Sequence, residues 1–249
     1  MKKISLCLVF LIYCQFGFAQ QALDSTKINK DYKFNYKQLI IPTALMTYGV
    51  IGLESDGLKL VNSNIRAEVM EDIDKKITID DFSQYAPAAA VYGLNLAGIH
   101  GKNNFKDRTL ILGTSYLIMA TTVTSLKHIA KVERPDGSAF NSFPSGHTGT
   151  AFVGAEFMWQ EYKDESIWYG ISGYIVATGT GVFRMYNNKH WLTDVAMGAG
   201  IGILSTKTAY WLFPIINEKI FKSKNKNKSA LAIPFYNGKQ AGLAYSIQF

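Results

Sequence analysis

The sequence predicts an all-α protein, and three observations carry that prediction. Six apolar stretches of helical length follow one another between residues 39 and 216, with polar segments between them, the pattern of a helical bundle. Hydrophobic residues make up 48% of the 249 residues and charged ones 18%, which leaves ample material for a core. Aromatic residues reach 13%, which excludes an intrinsically disordered chain. The mean hydropathy of +0.02 is high for a soluble enzyme and low for a protein made mostly of membrane-spanning helices.

At the N-terminus, Lys2 and Lys3 precede the apolar run Ile4–Phe16, which gives way to Gly17 and Ala19. A charged segment, an apolar segment and a small-x-small site together read as a secretory signal peptide over residues 1–19. An uncleaved anchor helix is the alternative. Both cysteines, Cys7 and Cys14, fall inside this segment, so the mature chain would lack disulfides, thiol chemistry and cysteine metal sites. Cleavage would lower the formal net charge of +7 by two, leaving a moderately basic protein suited to anionic surfaces or phosphate substrates. Residues 20–37 are polar and read as a linker.

The helices expected next are Leu39–Leu53, Ala86–Ile99, Thr109–Leu126, Thr148–Met158, Ile167–Phe183 and Val195–Ile216, within one helical domain over residues 38–221. Between the first two, Ile65, Val69, Ile73 and Ile77 recur every four residues among Arg66, Glu68, Glu71, Asp72, Lys75 and Lys76. That spacing makes one apolar stripe on a charged helix, packed on the core or lying at a membrane or over an active-site mouth. Crossing a bilayer takes about 20 apolar residues, and four of the six runs stop short of 18. Glu156 lies in the fourth run and Lys207 near the middle of the sixth; a central Lys costs about 2.5–3.5 kcal/mol on insertion scales. Thr109–Leu126 and, less clearly, Ile167–Phe183 read as spans on their own. Residues 222–249 form a basic linker and then two alternating runs, Ala230–Tyr236 and Lys239–Phe249, joined at Asn237-Gly238 as a β-hairpin, with Pro234 suited to an edge strand.

Three clusters concentrate groups that bind or attack phosphate. In Lys127-x6-Arg134-Pro135 the two cations are two helical turns apart, so both would leave one side of the third helix before Pro135 stops it. A plain basic helix end has the same composition. In Ser142-Phe143-Pro144-Ser145-Gly146-His147-Thr148, Ser145 would cap the fourth helix, Gly146 would let an anion approach free backbone N–H groups, and His147 would sit on the first turn. In Arg184-x5-His190-x3-Asp194 the histidine and carboxylate would lie at i and i+4 on the sixth helix, where the carboxylate fixes the imidazole tautomer. A capped helix with an incidental His, or a surface His–Asp contact, would explain either of the last two clusters alone.

In this order and at these spacings the clusters resemble the type 2 phosphatidic acid phosphatase superfamily, to which vanadium haloperoxidases also belong. Its pattern is Lys-x6-Arg-Pro, Pro-Ser-Gly-His, and Ser-Arg-x5-His-x3-Asp. The match runs from Lys127 to Asp194, and the helical layout extends it from about Leu39 to Ile216. The resemblance implies a six-helix phosphatidic acid phosphatase-like bundle, here with an added amphipathic helix and a C-terminal hairpin. It implies that His190 attacks phosphorus, Asp194 orients it, and His147 protonates the leaving alcohol and then activates water. Lys127, Arg134, Arg184, Ser145 and the Gly146 N–H would clamp the phosphoryl oxygens. It further implies no metal and no cofactor. One position departs: Phe183 stands where the pattern has Ser, removing a hydroxyl. His128 and His100 read as structural.

The expectation that follows is a metal-independent phosphatase acting on lipid phosphate monoesters or pyrophosphates in a bacterial envelope, membrane-associated and facing the periplasm, with no nucleic-acid partner. Phosphatidic acid, phosphatidylglycerol phosphate, undecaprenyl pyrophosphate and lipid A phosphates are the candidate substrates. A soluble periplasmic acid phosphatase, a vanadate-dependent haloperoxidase and a catalytically dead envelope protein are the alternatives. If every apolar run crossed the membrane, Lys127 and Arg134 would face the cytoplasm, so an outward site requires that some runs do not cross.

Overall fold

The computed structural model describes residues 32, 34–71, 78–221, 229–236 and 241–248. The expected signal peptide, most of the first linker, the basic linker after residue 221 and the Asn237-Gly238 turn lie outside the described residues. A 3-10 turn, Tyr36–Leu39, leads into eight helices: α1 (Ile40–Glu54), α2 (Asp56–Glu71), α3 (Ile79–Ser83), α4 (Ala86–Leu96), α5 (Phe105–Ala130), α6 (Gly146–Tyr162), α7 (Ile167–Tyr186) and α8 (Leu192–Phe221). The described chain divides after Phe213 into two units.

In the first unit, α6 is the central element. Eleven of its residues are buried, and it packs on α4, α5 and α7. Helices approach closely where side chains are smallest: a Cβ at Gly198 would strike the Ser145 carbonyl, and one at Gly202 would crowd the Gly149 carbonyl and Val153 N. The start of α8 therefore lies directly against the start of α6, and both ends carry site residues. Below them Met119, Val123, Phe143, Val153, Met197 and Ile201 form one apolar core. Val91, Ile111, Phe157, Tyr162, Tyr210 and Phe213 belong to a second core toward the other end of α6.

Two charges that weigh against membrane spans in the sequence meet each other. Lys207 Nζ lies 2.6 Å from Glu156 Oε1, Gln160 Nε2 donates to the same oxygen, and Tyr174 donates to Oε2. At the far end of α6, buried Glu161 accepts from the Asn103 backbone N at 3.0 Å, from Asn103 Nδ2 and from Tyr210. Among the described residues one helix, α5, is long and apolar enough to cross a membrane, and 22% of its most apolar window is buried. Much of the remaining apolar surface is exposed as well, including Ile40, Ile41 and Ile51 on α1 and Trp168, Ile175 and Val182 on α7.

Helix α2 carries Ile65 and Val69 half-buried; Ile73 and Ile77 are outside the described residues. Its inner face rests on the start of α8. Asn62 Nδ2 donates to Thr193 Oγ1 at 3.0 Å, Arg66 Nε donates to Asn188 Oδ1 at 2.8 Å, and the Arg66 guanidinium lies 6.0 Å from the Trp191 ring centroid. The amphipathic helix thus borders the loop that carries His190.

The second unit comprises the last turns of α8, from Pro214, and an antiparallel pair, β1 (Ser229–Tyr236) and β2 (Ala241–Gln248), with Tyr236 opposite Ala241 and Ser229 opposite Gln248.

Candidate active site

Two of the sequence expectations about local geometry are corrected. Helix α5 ends at Ala130, with Lys131 in a left-handed conformation (φ 46°), so Arg134 lies beyond the helix and not on it. The residue before a proline disfavours helical backbone, which is the reason the helix cannot run up to Pro135. Likewise His190 precedes α8, whose first residue is Leu192. Asp194 Oδ2 accepts the Trp191 backbone N–H at 2.9 Å, so the carboxylate serves the helix start and the histidine together.

The three clusters nonetheless converge. Lys127 Nζ donates to the Asn141 carbonyl and lies 3.5 Å from that of Ser142, while Arg134 Nε donates to Asn141 Oδ1 at 2.8 Å. The two cations of the first cluster therefore hold the loop that opens the second. That loop continues through a cis Phe143–Pro144 bond to Ser145, the N-cap of α6, whose hydroxyl accepts from Thr148 N at 3.4 Å. Ser145 N in turn donates to the Asp194 carbonyl at 3.0 Å, joining the second cluster to the third. Gly146 is the first residue of α6 and His147 the second, as the sequence suggested.

Around His190 the geometry is specific. The ring is 4% exposed. Its Nδ1 faces Asp194 Oδ2 at 3.5 Å and Ser142 Oγ at 3.4 Å, and Ser142 donates to the same carboxylate oxygen. With Nδ1 occupied on that side, Nε2 is the nitrogen left for chemistry. Burial holds the His190 pKa down to about 4, with Lys127 and Arg184 adding to the effect and Asp194 opposing it. The imidazole is neutral, as a nucleophile must be.

Arg184 is buried on α7 and meets two acids that the sequence reading did not single out. Its Nη1 lies 2.5 Å from Asp80 Oδ2 and 3.8 Å from Asp81 Oδ1, both on the five-residue helix α3. Asp80, 1% exposed, also accepts from Asn187 Nδ2 at 2.9 Å. Arg184 Nε is buried with no hydrogen-bond partner among the described residues. Leaving such a donor unmet costs about 1–3 kcal/mol or more, a cost that an anion in the site would relieve. Asp80, Asp81 and His147 bring ligand atoms within 4.8 Å of one another, with Arg184 Nη1 paired to Asp80 at 2.5 Å and 3.8 Å from Asp81.

His147 Nε2 lies 3.0 Å from Asp81 Oδ1. Burial and then Arg184 lower its pKa from 6.5, while Asp81 and Asp80 act in the opposite sense. Phe183, at the position where a hydroxyl was expected, is half-buried and packs edge-on to Tyr186, with ring centroids 6.0 Å apart. Exposed His128 and His100 lie in α5 and in the segment after α4. Ser142, Asp80 and Asp81 are the site residues the sequence reading missed. Ser142 stood at the head of the second cluster with no role assigned to it, whereas no spacing signal marks the two acids.

The model of the PAP2 superfamily matches residues 108–218. A lipid A 1-phosphatase of Porphyromonas gingivalis is 36% identical over 170 residues, covering 64% of this chain and 38% of that protein. A bacitracin transport permease protein BcrC of Bacillus licheniformis is 29% identical over 100 residues, 35% of this chain and 47% of that one. The chain thus spans less than half the length of these curated relatives. Among solved structures it is similar to a transmembrane PAP2 type phosphatidylglycerolphosphate phosphatase from Bacillus subtilis, at 22% identity, TM-score 0.49, and coverage of 74% of this chain and 99% of that one. It is also similar to Aquifex aeolicus LpxE, at 22% identity, TM-score 0.44, and coverage of 61% and 93%.

Proposed function

Because the chain belongs to the PAP2 superfamily through residues 108–218, we propose that it is a phosphatase that hydrolyses phosphorylated lipids through a phosphohistidine intermediate. The observation that carries this reading is the orientation of His190, whose Nδ1 is occupied by Asp194 and Ser142 so that Nε2 is left for attack. Nε2 would form a bond to phosphorus as the bond from phosphorus to the lipid oxygen breaks. His147 would give that oxygen its proton, and the lipid alcohol would leave. Water would then lose a proton to His147 and attack the phosphohistidine, releasing inorganic phosphate and restoring both rings.

Charge stabilisation would come from Arg184, Lys127 and Arg134, with the Ser145 hydroxyl and the Gly146 N–H at the start of α6. Lys127 and Arg134 now rest on neutral oxygens of Asn141 and Ser142. Exchanging those for phosphoryl oxygens would give each cation an anionic partner in place of a neutral one.

Lipid substrates are favoured by the exposed apolar faces of α1, α5 and α7, which suit contact with acyl chains. Within that class, a lipid A phosphate is the first to test, since that is the substrate named for the Porphyromonas gingivalis relative. Residues 1–19 would export the chain to the envelope, with the site facing the periplasm. The test compares the full protein with its His190→Ala variant on a panel of lipid phosphates and a soluble phosphomonoester. Phosphate release that depends on His190 and prefers lipid is expected. Turnover retained by the variant would overturn the mechanism, and equal rates on soluble and lipid esters would favour a soluble acid phosphatase.

A further inference from the structure

The five-residue helix α3 brings two acids to the proposed phosphate site, both near Arg184 Nη1. Asp80 points inward and is held by Arg184 and Asn187, and Ser83 Oγ bonds Thr180 Oγ1 at 2.8 Å, so the segment is fastened to α7 at two points. With its neighbour fixed, Asp81 faces the first turn of α6, 66 residues further along the chain, and meets His147 Nε2 at 3.0 Å. Gln84 Nε2 donates to the Asp81 carbonyl at 2.9 Å, which steadies the backbone there. None of these α3 residues lies within the family-matched span, 108–218.

From this arrangement, and on the phosphatase reading above, we infer that Asp81 is a positioning residue for His147, holding Nε2 so that Nδ1 is turned toward the leaving oxygen. The pair is the counterpart of Asp194 and His190 with the ring nitrogens exchanged. Asp194 occupies Nδ1 and leaves Nε2 to attack; Asp81 occupies Nε2 and leaves Nδ1 to transfer a proton. When Nδ1 gives its proton away, the tautomer that remains carries Nε2–H, the form that donates to a carboxylate. The charged groups facing His147 are Arg184 from α7 and Asp80 and Asp81 from α3. Arg184 disfavours the imidazolium and the two acids favour it, and Asp80 is already engaged by Arg184 and Asn187. Asp81 is therefore the group that keeps the protonated ring available.

The experiment uses the full protein in detergent and two esters that differ in their need for a general acid: nitrophenyl phosphate, whose phenolate leaves unaided, and a short-chain phosphatidic acid, whose alkoxide does not. In Asp81→Asn, kcat/KM for the alkyl ester should fall on the order of 10²-fold, the low end of general acid–base contributions, while the nitrophenyl ester changes little and reports an intact fold. Asp81→Glu should recover part of the loss. Equal losses on both esters, or no loss on either, would overturn the inference. Ring NMR of His147 adds an arm that needs no turnover: Asp81→Asn should lower its pKa, and an unchanged pKa would overturn the inference as well. If the wild type hydrolyses neither ester, the phosphatase reading fails and the NMR arm alone decides the role of Asp81.

Discussion

The Ser142 hydroxyl lies 3.4 Å from His190 Nδ1 while donating to the same Asp194 oxygen that faces the ring. Ser142 is fully buried and comes from the loop before α6, whereas His190 and Asp194 flank the start of α8. The serine therefore fixes the spacing between two helix starts as well as the orientation of the carboxylate. Hydrogen bonds to charged groups contribute about 1.5–3 kcal/mol. Ser142→Ala should accordingly lower kcat/KM by about 10- to 100-fold, short of the loss in His190→Ala. Steady-state rates of the two variants on one ester test the order.

Loss of His147 should separate the two chemical steps. On nitrophenyl phosphate the first step needs little acid assistance, but the second still needs a base to activate water. His147→Ala should therefore accumulate phosphohistidine on His190, visible as an acid-labile phosphoprotein and as a burst of one nitrophenolate per site. His147→Ala with His190→Ala should show neither signal. A variant that turns over steadily without a burst would argue against His147 as the base.

The pH dependence follows from the two rings. His190 must be neutral to attack and has a pKa of about 4, so kcat/KM should rise with pH through that value. His147 must be protonated to assist departure, and burial and Arg184 lower its pKa from 6.5, so kcat/KM should fall before pH 6.5 is passed. A bell with an acidic maximum is expected. The second ionisation of a phosphate monoester, near pH 6, overlaps the falling limb. Profiles on two esters with different second pKa values separate the contributions, because an enzyme limb stays in place when the ester is changed.

Much of this site could be read from the sequence because its signals are local. Apolar runs marked the helices of the bundle, and the short spacings around Lys127, His147 and His190 marked the clusters. Where tertiary packing decides, the sequence was silent. Asp80 is 104 residues from Arg184 and Asp81 is 66 from His147, and neither belongs to a patterned motif. Sequence reading also set Arg134 and His190 on helices that end or begin a few residues away, since helix periodicity carries no information about a left-handed cap at Lys131 or a carboxylate bonding the start of α8. Glu156 and Lys207 looked like separate flaws in apolar helices because their pairing crosses 51 residues.

That pairing has a measurable consequence. Removing one partner of a buried ion pair costs about 3–5 kcal/mol, whereas replacing both with apolar or neutral groups costs far less. Lys207→Met should strand the Glu156 carboxylate beside Tyr174 and Gln160 and lower the unfolding midpoint. Adding Glu156→Gln should restore most of it. Thermal unfolding of the single and double variants in detergent gives the coupling, and additive losses would show that the pair contributes nothing of its own.

Gly198 links packing to catalysis most directly. A methyl group there would overlap the Ser145 carbonyl and also crowd Gly149 N, and backbone atoms have no rotamer with which to yield. Overpacking of this kind costs about 1–3 kcal/mol, and relief requires the starts of α6 and α8 to separate. Separation would stretch the bond from Ser145 N to the Asp194 carbonyl, now 3.0 Å, and with it the spacing of His147 from His190. Gly198→Ala should therefore lower kcat at least 10-fold while the protein remains folded, since reacting groups misplaced by 1 Å can cost about 10²-fold. Gly179→Ala, on α7 with open space around its Cβ position, is the matched control and should leave kcat within about twofold. Equal effects at the two glycines would trace the loss to the helices in general and not to the contact between α6 and α8.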